Sequence, residues 1–274
     1  MIPIDRLQAY LRHIAHRQYD TASVPPFTIF FHPTDALVYF NYAIPDEPTP
    51  AAPGQNLRQP LAALRATFAA RDRQPRFEFI QEFAPNLAPI LRAEGFAEQA
   101  RQQLMICTPQ TYHPPTPIAG LTITPLTANS PLADAQDFLT TQRQGFDPTD
   151  PTTATEQQAE QWLRELQNNA PFLARLDGQP VGVGMFTQPF DTITEIVGIA
   201  TREPFRRQGV GTAITALAVQ TAFAQGTASA REVTIACLTA ADERAGRIYQ
   251  RVGFRPYATM LAYTLAKVSE PLQG

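Results

Sequence analysis

The apolar positions change period along the chain, and each period predicts an element. Ile4, Leu7, Leu11 and Ile14 recur at three and four, which predicts a helix over 4–18. Two β-rich runs, 27–31 and 37–44, joined by His32-Pro33-Thr34-Asp35, read as a hairpin. A proline-rich loop over 44–60 follows, then a helix at 61–71, a strand at 76–80 and a helix at 86–94 stopped by Gly95-Phe96. A strand at 102–107 ends the first half, and TPQTYHPPTP (108–117) reads as a stiff linker. Beyond it come a strand at 121–125, a helix at 132–142, the loop GFDPTDPTT, a helix at 156–167 with Trp162, and a hairpin of 172–176 with 181–186 turning at Asp177-Gly178. Residues 192–201 form a strand. Ile214, Leu217, Ala218 and Thr221 then give helical spacing as far as the stop at Gly226. Val233, Ile235 and Cys237 alternate in a strand over 232–238. A helix from Asp242 carries Ala245, Ile248, Tyr249 and Val252 on one face, closes at Gly253-Phe254 and leads into a last strand.

The two halves can be laid over one another. PRFEFIQEFAPNLAPILRAEGF and EVTIACLTAADERAGRIYQRVGF both read strand, helix, Gly-Phe, with a strand following. Counting back from each glycine pairs Tyr249 with Leu91. The organisation expected is a first domain over 1–110, a linker over 111–117 and a second domain over 118–268.

The second half contains Arg206-Arg207-Gln208-Gly209-Val210-Gly211 between a strand and a helix. Two glycines one residue apart let backbone approach a ligand without a Cβ in the way. The following helix start offers free N–H groups and a positive dipole end, which suits a phosphate or diphosphate. The spacing is neither the three-glycine dinucleotide fingerprint nor the Gly-Lys-Ser/Thr phosphate loop. The R-x-x-G-x-G pattern, followed in order by A-x-x-x-Y-x-x-x-G-F at Ala245, Tyr249, Gly253 and Phe254, resembles the GNAT superfamily of acyl-CoA N-acyltransferases. The resemblance covers about 121–265. It implies an α/β (α+β) fold with a mixed, mostly antiparallel twisted sheet flanked by helices, here as two tandem units. The first lacks R-x-x-G-x-G, offering Pro53-Gly54-Gln55-Asn56-Leu57-Arg58 instead, and so looks like a degenerate copy.

The resemblance also implies roles. The diphosphate of acetyl-CoA, as cosubstrate, would rest on the N–H groups of Arg207, Gln208, Gly209, Val210, Gly211 and Thr212, with charge added by Arg206 or Arg207. Ile199, Ala200 and Thr201 match the strand that pairs with the pantetheine arm through backbone groups. Tyr249 is the candidate acid: a phenol of pKa near 10 can protonate a leaving thiolate. The same position also suits a core tyrosine. Glu195 is the candidate base, and it interrupts a strand in which Ile193, Val197 and Ile199 are expected on its own face. A structural carboxylate or an amine anchor stays open for it. Asp242 stands where the family often has asparagine, and its simplest use is to cap the helix.

Composition narrows the partners. A net charge of −3 gives no general pull on nucleic acid or anionic lipid. No apolar run approaches 18 residues, so no membrane span is expected, and the N-terminus lacks a secretory pattern. A cytoplasmic protein follows as the expectation. Cys107 and Cys237 sit in apolar runs and read as buried thiols. His13 and His16 lack a third ligand at metal spacing, so no metal is expected. The resemblance implies an amine-bearing acceptor, a small molecule or a protein, and a homodimer is compatible. Phe146, Asp147 and Asp150 lie in the loop that would meet a cationic amine. The rival readings are a catalytically silent acyl-CoA sensor and an acyltransferase for longer chains.

Overall fold

The computed structural model describes residues 3–48, 57–166, 169–226 and 232–265, so Pro53-Gly54-Gln55-Asn56 lies outside the described residues. In chain order the elements are α1 (Ile4–Gln18), β1 (Asp20–Val24), β2 (Phe27–Phe31), a 3₁₀ turn (Val38–Phe40), β3 (Asn41–Pro45), α2 (Arg58–Ala69), β4 (Arg76–Ile80), α3 (Leu87–Ala93) and β5 (Phe96–Cys107). They continue with β6 (Leu121–Pro125), α4 (Leu132–Phe146), α5 (Glu156–Glu165), β7 (Ala170–Leu176), β8 (Gln179–Phe186) and β9 (Ile193–Thr201). A 3₁₀ turn (Glu203–Phe205), α6 (Val210–Gly226), β10 (Ile235–Ala240), α7 (Glu243–Gln250) and β11 (Arg255–Leu265) complete the chain. Two compact units result: residues 1–104 with 258–274, and residues 105–257.

In the first unit β1, β2 and β3 form an antiparallel meander, β3 runs parallel to β4, and β4 pairs antiparallel with β11 from Met260↔Ile80 to Thr264↔Arg76. The expected hairpin exists, with Phe31 opposite Asn41, but its second strand starts late. Asn41 is fully buried, accepts from the His32 N–H at 3.2 Å and donates to the Asp35 and Leu37 carbonyls at 3.0 and 2.8 Å. That one amide holds the connection in a wide loop instead of a strand. β1 is an addition: its sequence DTASV is mostly exposed and lacks an apolar stripe, as suits an edge strand.

In the second unit β9 lies parallel to β10 on one side, while β8, β7 and β6 follow antiparallel on the other. α6 carries no charged residue and is buried on several faces, through Val210, Ile214, Ala216, Val219 and Ala222 among others. It lies close on the sheet because β8 offers Gly182 and Gly184. A Cβ at Gly182 would come within 2.8 Å of both Ile214 Cδ1 and Val210 Cγ1.

The repeat seen in the sequence has a structural counterpart. β3–α2–β4 and β9–α6–β10 are both parallel crossovers, each followed by a helix and a glycine of positive φ, Gly95 at 82° and Gly253 at 108°. Phe96 and Phe254 after them are both buried. Leu91, the counterpart of Tyr249, is fully buried in its core. Residues 108–117 are packed into the second unit: the His113 N–H bonds the Val252 carbonyl at 2.9 Å, and a Cβ on Gly253 would overlap the Thr111 carbonyl.

Candidate active site

The site begins with a defect in β9. Val183 faces Ala200 and Met185 faces Val197, so β9 has one residue too many between those pairs. Gly198 absorbs it at φ 66°, a conformation that an L side chain resists. The bulge swaps the faces of the strand. Before it Ile196 packs in the core under α6; after it Ile199 does so, and Ala200 turns to the core of Phe138, Leu173 and Val183. This corrects the expectation that Glu195 and Ile199 share a face.

On the other side, β9 pairs with β10 only at Ile193, Thr194 and Glu195. From Ile196 onward no β10 residue is in register among the described residues, so the strands part. A cavity of about 500 Å³ opens there. Its walls are the end of β9 (Ile199, Ala200, Thr201), the loop and helix start from Phe205 to Thr212 apart from Gln208, and the α7 face with Ala245, Ile248 and Tyr249.

In the loop Arg207 takes φ 65° and Gly209 takes φ 86° before α6 begins at Val210. The first N–H to bond back along the helix is that of Ala213, to the Gly209 carbonyl at 3.0 Å. The N–H groups of Val210, Gly211 and Thr212 therefore have no intrahelical partner, at the positive end of the helix dipole. Arg207 is exposed at the rim. Arg206 is committed: its guanidinium donates to the Thr201 carbonyl at 3.1 Å and to the Gly145 carbonyl at 2.9 Å. It ties the loop to the end of β9 and to the C-terminal turn of α4. Gln208 is turned away, donating to the Pro204 carbonyl at 3.2 Å.

Tyr249 is half-buried and meets Phe254 edge-on at 6.1 Å. Burial, and then the charge of Asp242, raise its phenol above the ordinary value, so it stays protonated at neutral pH. Asp242 caps α7, accepting from the Ala245 N–H at 2.7 Å. Glu195 is not among the residues that line the cavity. Its N–H donates to Thr187 Oγ1 at 3.2 Å, its carbonyl accepts from the Thr187 N–H at 2.9 Å, and it stands opposite Cys237. Burial, with the charge of Glu195 second, pushes the Cys237 thiol well up.

Beside the cavity wall at Gly145, Phe146 is 64% exposed. Asp147 accepts from the Thr149 hydroxyl and N–H at 2.6 and 2.9 Å, and Asp150 accepts from the Thr152 N–H at 2.8 Å. The Thr149 hydroxyl and then its N–H hold the Asp147 carboxyl below its ordinary range, and the Thr152 side chain and then its N–H do the same for Asp150. Sequence reasoning missed Arg244, Arg247 and Arg251, which also line the cavity. Their signal was the three-and-four spacing of like charges along one helix face.

Residues 134–254 match the model of the acetyltransferase (GNAT) family. No curated protein matches the chain. A GCN5-related N-acetyltransferase from Kribbella flavida is similar over 96% of each chain, at 28% identity and a TM-score of 0.73. A tandem GNAT protein from the clavulanic acid biosynthesis pathway is similar in fold at 14% identity, with a TM-score of 0.61 over 89% of this chain and 79% of that one. A GCN5-related N-acetyltransferase from Sphaerobacter thermophilus is similar in fold at 16% identity, with a TM-score of 0.58 over 87% of this chain and 76% of that one. Residues 134–254 thus fall in the class of GNAT acetyltransferase domains. The chain as a whole shares the fold of GNAT proteins, a tandem one among them, and itself divides into two compact units.

Proposed function

We propose that the second unit transfers an acetyl group from acetyl-CoA to a primary amine by direct attack. The observation that carries this reading is convergence. One cavity is bounded by the α6 amides, by the stretch of β9 that has left its ladder, and by a protonated Tyr249. The amides of Val210, Gly211 and Thr212 meet the diphosphate, with Arg207 at the rim. Backbone groups of Ile199, Ala200 and Thr201 align the pantetheine arm and polarise the thioester carbonyl as charge develops on it. The amine nitrogen attacks that carbon, the C–S bond breaks, and the Tyr249 phenol gives its proton to the departing thiolate. The amine proton leaves to Glu195 through an intervening water or directly to solvent. A base is useful because an amine of pKa near 10 is only about 0.1% neutral at pH 7. Arg206 serves by position, holding the loop against β9.

The test is thiol release from acetyl-CoA with a panel of amines, beside calorimetric binding of acetyl-CoA. Gly209→Asp puts an anion and a strained φ at the diphosphate and should abolish binding. Tyr249→Phe should lower kcat about 10²-fold or more with acetyl-CoA affinity unchanged. Normal affinity in Gly209→Asp removes the site. Tight binding with no thiol release over the whole panel makes the protein a silent acyl-CoA sensor instead.

A further inference from the structure

Five arginines line the cavity, Arg206, Arg207, Arg244, Arg247 and Arg251, against one acid, Asp242. Arg206 is spent on two backbone carbonyls, and Asp242 on its cap. The diphosphate has the α6 amides and Arg207. That leaves three cations of α7 which no step of the proposed reaction uses.

Their placement is orderly. At about 100° per residue, Arg244, Arg247 and Arg251 fall within an arc of about 60°. Arg251 belongs to it because its φ and ψ, −65° and −22°, continue the helix. Ile248 borders this stripe, and Ala245 and Tyr249 lie beyond it. The helix therefore shows the cavity two surfaces: an apolar one ending in the phenol, and a cationic one. Neutralisation within the protein is slight. Arg247 has Glu243 only at 3.9 Å, with side chains 63% and 92% exposed, and Arg244 and Arg251 have no ion pair among the described residues. Three like charges on adjacent turns repel one another, which disfavours the helix unless an anion sits over them.

Coenzyme A carries two anionic groups that differ in place: the diphosphate, and a phosphomonoester on the 3′-oxygen of the adenosine ribose. Resting on the acyl-CoA reading above, we propose that Arg244, Arg247 and Arg251 form the subsite for this 3′-phosphate. The enzyme then selects the complete coenzyme over the same thioester lacking that group. Arginine suits a dianionic monoester by paired N–H donation.

Calorimetry at low salt would compare acetyl-CoA with acetyl-dephospho-CoA. The wild type should bind acetyl-CoA at least about 10-fold more tightly, and the ratio should shrink with added salt. In the triple variant Arg244→Ala/Arg247→Ala/Arg251→Ala the ratio should fall towards one. All three side chains are exposed, so the fold tolerates the change. A wild-type ratio within about twofold of one overturns this subsite and leaves the acyl-CoA reading standing. A large ratio that survives in the triple variant also overturns the subsite, placing the 3′-phosphate elsewhere. Uptake of neither thioester by the wild type overturns both readings together.

Discussion

Gly145→Ala sets two effects of opposite sign against each other. Gly145 lies in the last turn of α4, where glycine costs about 1 kcal/mol of helix stability relative to alanine. Propensity alone predicts a more stable protein. The structure predicts otherwise. A Cβ there would sit 2.8 Å from Ala200 Cβ, 3.2 Å from the Thr201 nitrogen and 3.3 Å from the Ala200 carbonyl carbon. None of these is the end of a flexible side chain, so α4 and β9 must move apart by roughly 1 Å. Overpacking of this kind costs about 1–3 kcal/mol, which outweighs the propensity gain and leaves a net loss of about 1 kcal/mol. A domain of this size should then lose about 2–4 °C in Tm. The functional effect should be larger. The displaced atoms include the Gly145 carbonyl that Arg206 grips and the end of β9 that lines the cavity. A misplacement of about 1 Å costs on the order of 10²-fold in rate. Gly178→Ala is the control: Gly178 has φ 83° but nothing within 4 Å of its Cβ position. It should lose stability through strain alone and keep its activity. Urea unfolding and kcat/KM on both variants decide the matter. A Gly145→Ala protein that is more stable, with kcat/KM unchanged, would refute the claim that α4 rests on β9 at van der Waals contact.

Three further outcomes are expected. Gln8 is 1% exposed, and neither atom of its amide has a hydrogen-bond partner among the described residues. Gln8→Met should therefore stabilise the protein by about 1–2 kcal/mol in urea unfolding; a loss instead would mean that the amide is satisfied. Burial pushes the Cys107 thiol up to about 11 and Cys237 well up. Neither should react with a disulfide reagent at pH 8 in the folded protein, and both should once unfolded. With the folded pKa values raised, stability is whole below the unfolded thiol value of about 8.5 and falls as pH climbs towards 11, a slope that Cys107→Ala should reduce. Asp242→Asn keeps a capping side chain, whereas Asp242→Ala should cost about 1 kcal/mol in thermal unfolding. Both remove the charge that helps raise the Tyr249 phenol, so spectral titration should find it lower in each.

The sequence carried most of the second unit because its signals are local. The R-x-x-G-x-G loop, the cap at Asp242 and the Gly253-Phe254 stop need only neighbouring residues, and β4 and β6 keep their predicted bounds. What escaped depends on residues distant in the chain. Alternation along β9 placed Glu195 and Ile199 on one face, and only the pairing with β8 shows that Gly198 breaks the alternation. The committed state of Arg206 depends on a carbonyl 61 residues away. β1 escaped because an edge strand needs no apolar stripe, and the late start of β3 because one buried amide, Asn41, outweighs a β-rich run.

The bulge at Gly198 explains why the groups of the proposed site meet where they do. A continuous parallel ladder between β9 and β10 would use the backbone groups of residues 196–201 and leave no cleft. With pairing confined to Ile193, Thr194 and Glu195, the strands stay anchored at one end and diverge at the other. Divergence exposes the edge of β9 at the point where the chain turns into α6, so the free amides and the free strand edge border one space. α7 follows β10 directly and so reaches the opposite wall, which brings Tyr249 and the arginine stripe to the same cleft. In the first unit β3 and β4 also run parallel, yet the matching helix presents Leu91, fully buried in its core. An aliphatic side chain there has no proton to give. The two units therefore share an architecture, and at this matched position the second has a phenol where the first has an aliphatic side chain.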